Sequence, residues 1–230
     1  LHLSVHSFPT RRSSDLGLER VWSEGLTGGR VTVKTVSRRQ VDTELEDGTY
    51  PFPNQEILYG EFEYKQPGRR GFNPTKTGEY QYRTESGLFL FRIPGQNPDP
   101  EQVLSELNKS QETEHQITRF RDFSRQSLWR FFSNADQFQS IQILGHSEDS
   151  ESLIDSIRLQ GGGTLDNSYL KELSQKYPVS SAKVTFSTPT SETPVIVKYR
   201  QGAFEMPGAS ESESEYVIQL FERDVVAPNS

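Results

Sequence analysis

Glu63 and Lys65 flank Tyr64 in a stretch, 57–65, where apolar and polar residues alternate. Residues two apart on a strand share a face, so this carboxylate and this ammonium would stand side by side. Asp47 lies sixteen residues upstream. An acid followed by an acid-x-lysine pair is the residue set of a metal-dependent nuclease, in which carboxylates hold Mg²⁺ and the lysine steadies the attacking water. The same residues have a plainer use. Glu61, Glu63 and Lys65 would form the wet face of a strand whose Phe62 and Tyr64 enter the core. Gly48 directly after Asp47 marks a turn, and residue 46 is Glu where the nuclease pattern has proline.

Arg121, Arg125 and Trp129 recur every fourth residue and would form one ridge of a helix. An exposed ridge of this kind stacks on bases or anchors a protein partner. Its structural use is an intrahelical cation–π ladder covering the rim of the core. Other chemistry is thin. Gly161-Gly162-Gly163-Thr164 lacks the Gly-Lys-Ser/Thr of a phosphate loop. Beyond residue 16 the histidines are His115 and His146, and there is no cysteine, so thiolate catalysis and zinc–thiolate sites are excluded. No Gly-x-Ser-x-Gly elbow occurs.

The element expected to carry the arginine ridge is a long helix over 117–138. Ile117, Phe120, Phe123, Leu128, Phe131, Phe132, Ala135 and Phe138 fall on one half of it at 3.6-residue spacing. Strands are expected at 30–36, 57–65, 79–83 and 87–93, giving a β-rich antiparallel first part. Gly95–Pro100 is the expected boundary, with Asp99 as an N-cap and Pro100 opening a helix whose stripe is Val103, Leu104 and Leu107. After the long helix come a strand at 141–144, helices at 150–159 and 165–177, and strands at 183–187, 194–200 and 215–226. The run 209–215 is expected as an acidic loop. The resulting class is α+β: a β-rich antiparallel N-terminal part, 17–97, and a helical and mixed C-terminal part, 98–230, around one long aromatic helix.

Residues 6–16, His-Ser-Phe-Pro-Thr-Arg-Arg-Ser-Ser-Asp-Leu, resemble a reading frame through a common short-read sequencing adapter. Residues 1–16 are therefore expected to be an artefactual or disordered tail on a metagenomic fragment. The chain carries a net charge of −7, of which residues 1–16 supply +1 (Arg11, Arg12, Asp15), leaving −8 on 17–230. Only 32% of residues are hydrophobic, yet 11% are aromatic, so Phe and Tyr must fill the core.

An acid excess disfavours generic phosphate binding, and no apolar run is long enough to span a bilayer. The expected setting is cytoplasmic, with no membrane. The motifs do not decide whether the chain is an enzyme. The reading that absorbs most of the sequence is a non-enzymatic interaction or regulatory protein. It would bind a protein partner through Arg121, Arg125 and Trp129 and need no cofactor. The alternatives are a Mg²⁺-dependent nuclease built on Asp47, Glu63 and Lys65, and a nucleic-acid-binding accessory protein.

Acid excess with 17 Arg against 8 Lys also suits a protein of high-salt surroundings. Salt screens self-repulsion, so the thermal midpoint should rise from low to molar KCl. A flat or falling midpoint removes the halophilic reading.

Overall fold

The computed structural model describes residues 2–7, 26–28, 31–46, 48–65, 75–92, 100–109, 118–119, 125–144, 156–163, 179–189, 191–200 and 203–229. The chain divides into two compact units: Leu1–Asp42 with Phe52–Phe120, and Thr43–Pro51 with Arg121–Ser230. Both are mixed α and β and strand-rich, and the described ladders within them are antiparallel.

In the first unit the strands are β1 (His2–Ser7), β2 (Leu26–Gly28), β3 (Val31–Gln40), β4 (Glu56–Lys65), β5 (Thr75–Arg83) and β6 (Leu88–Arg92), with a short β7 (Thr118–Arg119). Their order is β2-β3-β4-β5-β6-β1, and β7 pairs with β1. The β5–β6 turn closes with Gly87 N donating to Arg83 O at 2.9 Å. Gly87 there has φ +66°, the left-handed region that glycine enters without a Cβ clash.

Glycine sets the β4–β5 register in a different way. Gly60-Glu61-Phe62 runs antiparallel to Gly78-Glu79-Tyr80, so Gly60 faces Tyr80 and Phe62 faces Gly78. Each ring lies where the facing glycine's Cβ would be. Rings covering glycines in this way fill the gap that a missing side chain leaves in a sheet. Helix α1 (Pro100–Asn108) closes this face. Its Val103, Leu104 and Leu107 share a buried cluster with Leu58, Phe62, Tyr64, Tyr80, Tyr82, Phe89 and Phe91.

The second unit's sheet has the order β12-β11-β10-β8-β9. The strands are β8 (Gln137–Leu144), β9 (Ser156–Gly163), β10 (Val179–Thr188), β11 (Ser191–Arg200) and β12 (Ala203–Glu205). Helices α2 (Arg125–Ser133) and α3 (Glu211–Phe221) belong to the same unit, and α3 runs on into a π-helical turn (Glu222–Val226). Its core is made of rings. Phe131 contacts Phe132, Phe186, Phe204 and Phe221, with centroids 5.2–5.8 Å apart.

Several expectations are corrected. The helix over 117–138 is nine residues long, with Thr118–Arg119 and Gln137–Leu144 extended on either side. Leu128, Phe131 and Phe132 are buried on it as expected, while Phe120 and Phe123 lie outside the described residues. It stops because Ser133 Oγ and Asn134 Nδ2 donate back to Arg130 O, at 2.7 and 3.1 Å. Asp136 N then donates to Thr185 O at 2.9 Å, pulling the chain into β8. Local hydroxyl and amide groups compete with the helix here, so Phe138 is a strand residue.

The segment expected as a helix at 150–159 is strand from Ser156, and the three glycines 161–163 continue it. Ile157 and Leu159 face Ile143 and Ile141 across the ladder, and the strand period overrides the helical one. The expected strand 215–226 is helix. The helix expected at 165–177 and the Asp99 cap lie outside the described residues. The two compact units divide after residue 120, with 43–51 in the second, and α1 packs into the first unit's core. The tail 1–16 is in part ordered: His2–Ser7 pairs with β6, since ladder bonds use backbone groups that any non-proline residue carries.

Phe131 is fully buried among four rings, so Phe131→Ala should cost about 3–5 kcal/mol. Urea denaturation of the two proteins measures this, and a loss under about 1 kcal/mol would mean that the ring cluster is loosely packed.

Candidate functional site

Glu63 and Lys65 stand on β4 and are exposed, alternating with buried Phe62 and Tyr64. Their ladder neighbours are Thr32 and Thr77 beside Glu63, and Thr75 beside Lys65. One row further on, Lys34, Glu61, Glu79 and Arg92 face one another across four strands. The like charges of Glu61 and Glu79 are relieved at the flanks, where Arg92 bonds Glu79 at 3.0 Å. This exposed pair contributes little to stability. Asp47 lies outside the described residues. The acid-x-lysine pair therefore sits on an exposed sheet face that carries charges of both signs. Among the described residues no group of three or more His, Cys, Asp or Glu could hold a metal ion.

Of the arginine ridge, Arg121 lies outside the described residues and Arg125 opens α2. Trp129 departs from the partly exposed ring that its helical angle suggested: it is only 7% exposed. Its indole Nε1–H is buried and, among the described residues, has no hydrogen-bond partner. Such a donor keeps its full desolvation penalty of roughly 1–3 kcal/mol, and most buried donors avoid it.

A polar constellation that the sequence reading missed surrounds the π-helical turn, and three segments build it. Helix α3 begins with a capping box: Ser210 Oγ accepts from Glu213 N at 3.3 Å, and Glu213 Oε2 accepts from Ser210 N at 2.6 Å. The Ser-x-x-Glu at 210–213 is the sequence signal for this start, and the acidic first turn complements the helix dipole. The helix carries Glu215 and Gln219 inward, and Gln219 Nε2 donates to Glu215 Oε1 at 2.9 Å.

The segment 43–51 meets this helix from outside. Glu44 N donates to Gln219 Oε1 at 2.8 Å, and Tyr50 Oη donates to Glu222 Oε2 at 2.5 Å. The α2–β8 turn supplies Asn134, whose Nδ2 donates to Asp224 Oδ2 at 2.5 Å. Arg223 forks onto Asp224 with Nε at 2.8 Å and a terminal nitrogen at 3.0 Å.

A π-turn widens the helix locally, and such bulges recur at functional sites. Here Glu222 and Asp224 are both buried, and each accepts a named donor. The Asp224 carboxylate holds the Arg223 guanidinium above its ordinary range, against the opposing effect of burial. Burial raises the Tyr216 phenol, and Asp136 and Glu46 add to this while Arg223 opposes it. Tyr216 is thus a neutral hydroxyl at physiological pH. The constellation ties segments together: its buried carboxylates are engaged in holding donors.

No protein-family model matches the chain, and no curated protein matches it. Among the described residues no helix is long and apolar enough to cross a membrane.

The Glu213 carboxyl lies below its ordinary value because the Ser210 backbone N–H, then the Ser210 and Ser191 hydroxyls, bond its charged form. A depressed folded value adds stability above the unfolded carboxyl range, and that stability is lost as pH falls through the folded value. Amide protection at 210–214, taken relative to intrinsic exchange at each pH, should therefore fall on acidification through the carboxylate range, and Glu213→Gln should flatten this response. Equal acid sensitivity in both proteins would refute the capping assignment.

Proposed function

We propose that this chain is a non-enzymatic interaction module that docks a protein partner at α2. The observation that carries the reading is Trp129: a buried indole whose N–H has no acceptor among the described residues, on a helix that opens with Arg125. A partner's carbonyl or carboxylate would meet that donor and recover the penalty it now bears. Arg125 supplies charge on the same helix, and tryptophan and arginine are the residues most enriched where binding energy concentrates. The first unit serves this reading as scaffold, its charged sheet face keeping the molecule dispersed. The acidic surface favours partners without large negative fields, which sets nucleic acid lower.

Peptide display against the full chain should enrich ligands that slow amide exchange in 125–133. Replacing the Trp129 indole by benzothiophene keeps the ring shape and removes the N–H. This change should raise the unfolding midpoint, because the unmet donor is gone, and weaken selected ligands about ten-fold, the equivalent of one good hydrogen bond. A stability loss above about 1 kcal/mol would show the N–H to be satisfied inside the fold. Mg²⁺-dependent cleavage of DNA or RNA that Glu63→Ala abolishes would replace this reading with the nuclease.

A further inference from the structure

Segment 43–51 belongs to the second unit, although the strands it connects, β3 and β4, belong to the first. Its neck is closed where Val41 N donates to Gln55 O at 3.0 Å. Gln55 is fully buried, and its Oε1 accepts from Ser86 N at 3.3 Å, so the neck is fixed apart from the segment itself. Among the segment's described residues Leu45 and Tyr50 are buried, while Thr43, Glu46, Gly48, Thr49 and Pro51 are exposed. A surface stretch with so few buried side chains opens more readily than the core it lies on.

Two hydrogen bonds tie the segment down: Glu44 N to Gln219 Oε1 on α3, and Tyr50 Oη to Glu222 Oε2 on the π-helical turn. The second is charge-assisted and correspondingly strong. From Glu222 the contacts continue to α2 by two routes. Phe221, its neighbour, meets Phe131 with centroids 5.5 Å apart. Asp224, two residues on, accepts from Asn134 Nδ2 at 2.5 Å, and the same nitrogen donates to Arg130 O at 3.1 Å in the last turn of α2. Arg130 directly follows Trp129.

We propose that 43–51 is a strap: closed, it holds the C-terminal end of α2 in place, and open, it lets that end loosen. Opening puts water where the Tyr50 phenol met Glu222, and the π-helical turn is no longer held from that side. Phe131 and Asn134 then lean on a turn that has room to shift, and the disturbance travels along packed rings and hydrogen bonds to α2. The strap thereby regulates the docking surface. That regulatory role rests on the α2 reading, while the strap's hold on α2 does not.

Amide exchange in the full chain tests the strap. Tyr50→Phe removes the hydroxyl and keeps the ring, and Leu45→Ala removes the other buried side chain. Each should speed exchange about ten-fold at Glu44 and at 134–136, the low end for a lost bond to a charged group. Exchange at 195–199 of β11 should not move. Three results would overturn the proposal: faster exchange at Glu44 with 134–136 unchanged, equal acceleration at 195–199, or no acceleration in either variant. The first would mean a strap without a hold on α2, the second a segment that opens only with the whole unit, the third anchors that hold nothing. Ligands selected at α2 should bind the Tyr50→Phe protein about ten-fold more weakly. Unchanged affinity beside altered exchange would overturn the regulatory role alone, and a failure to select any ligand would count against the α2 reading and not the strap.

Discussion

The second unit depends on one ring having four others to lean on. Phe131 meets Phe221 edge-on and Phe186 tilted, while Phe204 touches both Phe131 and Phe221. Aromatic pairs gain from edge-to-face geometry beyond their area, and that geometry fixes direction as well as distance. Phe131 comes from α2, Phe186 from β10, Phe204 from β12 and Phe221 from the end of α3, so the ring set orients two helices on one sheet. A chain that is 32% hydrophobic has little aliphatic filler with which to do this otherwise.

What was legible in the sequence was whatever depended on period and punctuation within one element. The alternation at 57–65 marked β4 and its two faces correctly. Pro100 with Val103, Leu104 and Leu107 marked α1, and Glu85-Ser86-Gly87 marked the β5–β6 turn. The errors share a cause. Phe138 and the residues before it have helical spacing, but Ser133, Asn134 and Asp136 divert the backbone through bonds to Arg130 and Thr185. The run 215–226 is rich in apolar and β-branched residues and reads as strand, until the Ser210–Glu213 box is seen to start a helix just before it. Tertiary partners outvoted local pattern at Ile157 and Leu159.

Of the candidate sites, only part was visible in advance. Glu63 and Lys65 share a face because strands alternate, but nothing in a strand's period says whether that face is concave. Trp129 sits near the edge of a helical arc, and its burial comes from the surrounding fold, which spacing along one helix does not report. The π-turn constellation was hidden for a different reason. Tyr50 and Glu222 are 172 residues apart and Glu44 and Gln219 are 175 apart, so the pairs that define it have no local signature. Glu222 and Asp224 meet their donors, Tyr50 and Asn134, from the π-helical turn that continues α3.

The facing tripeptides Gly60-Glu61-Phe62 and Gly78-Glu79-Tyr80 behave as a two-toothed key cut into β4 and β5. Sliding one strand by two residues would set Phe62 against Tyr80 in one direction or Gly60 against Gly78 in the other, while sliding by one would turn every apolar residue outward. Alignment of these strands is thus written in their own interiors. Most hairpins delegate that job to the loop. Here the rings and glycines inside the strands carry it, so a bulky residue at Gly60 or Gly78 would displace the pairing itself.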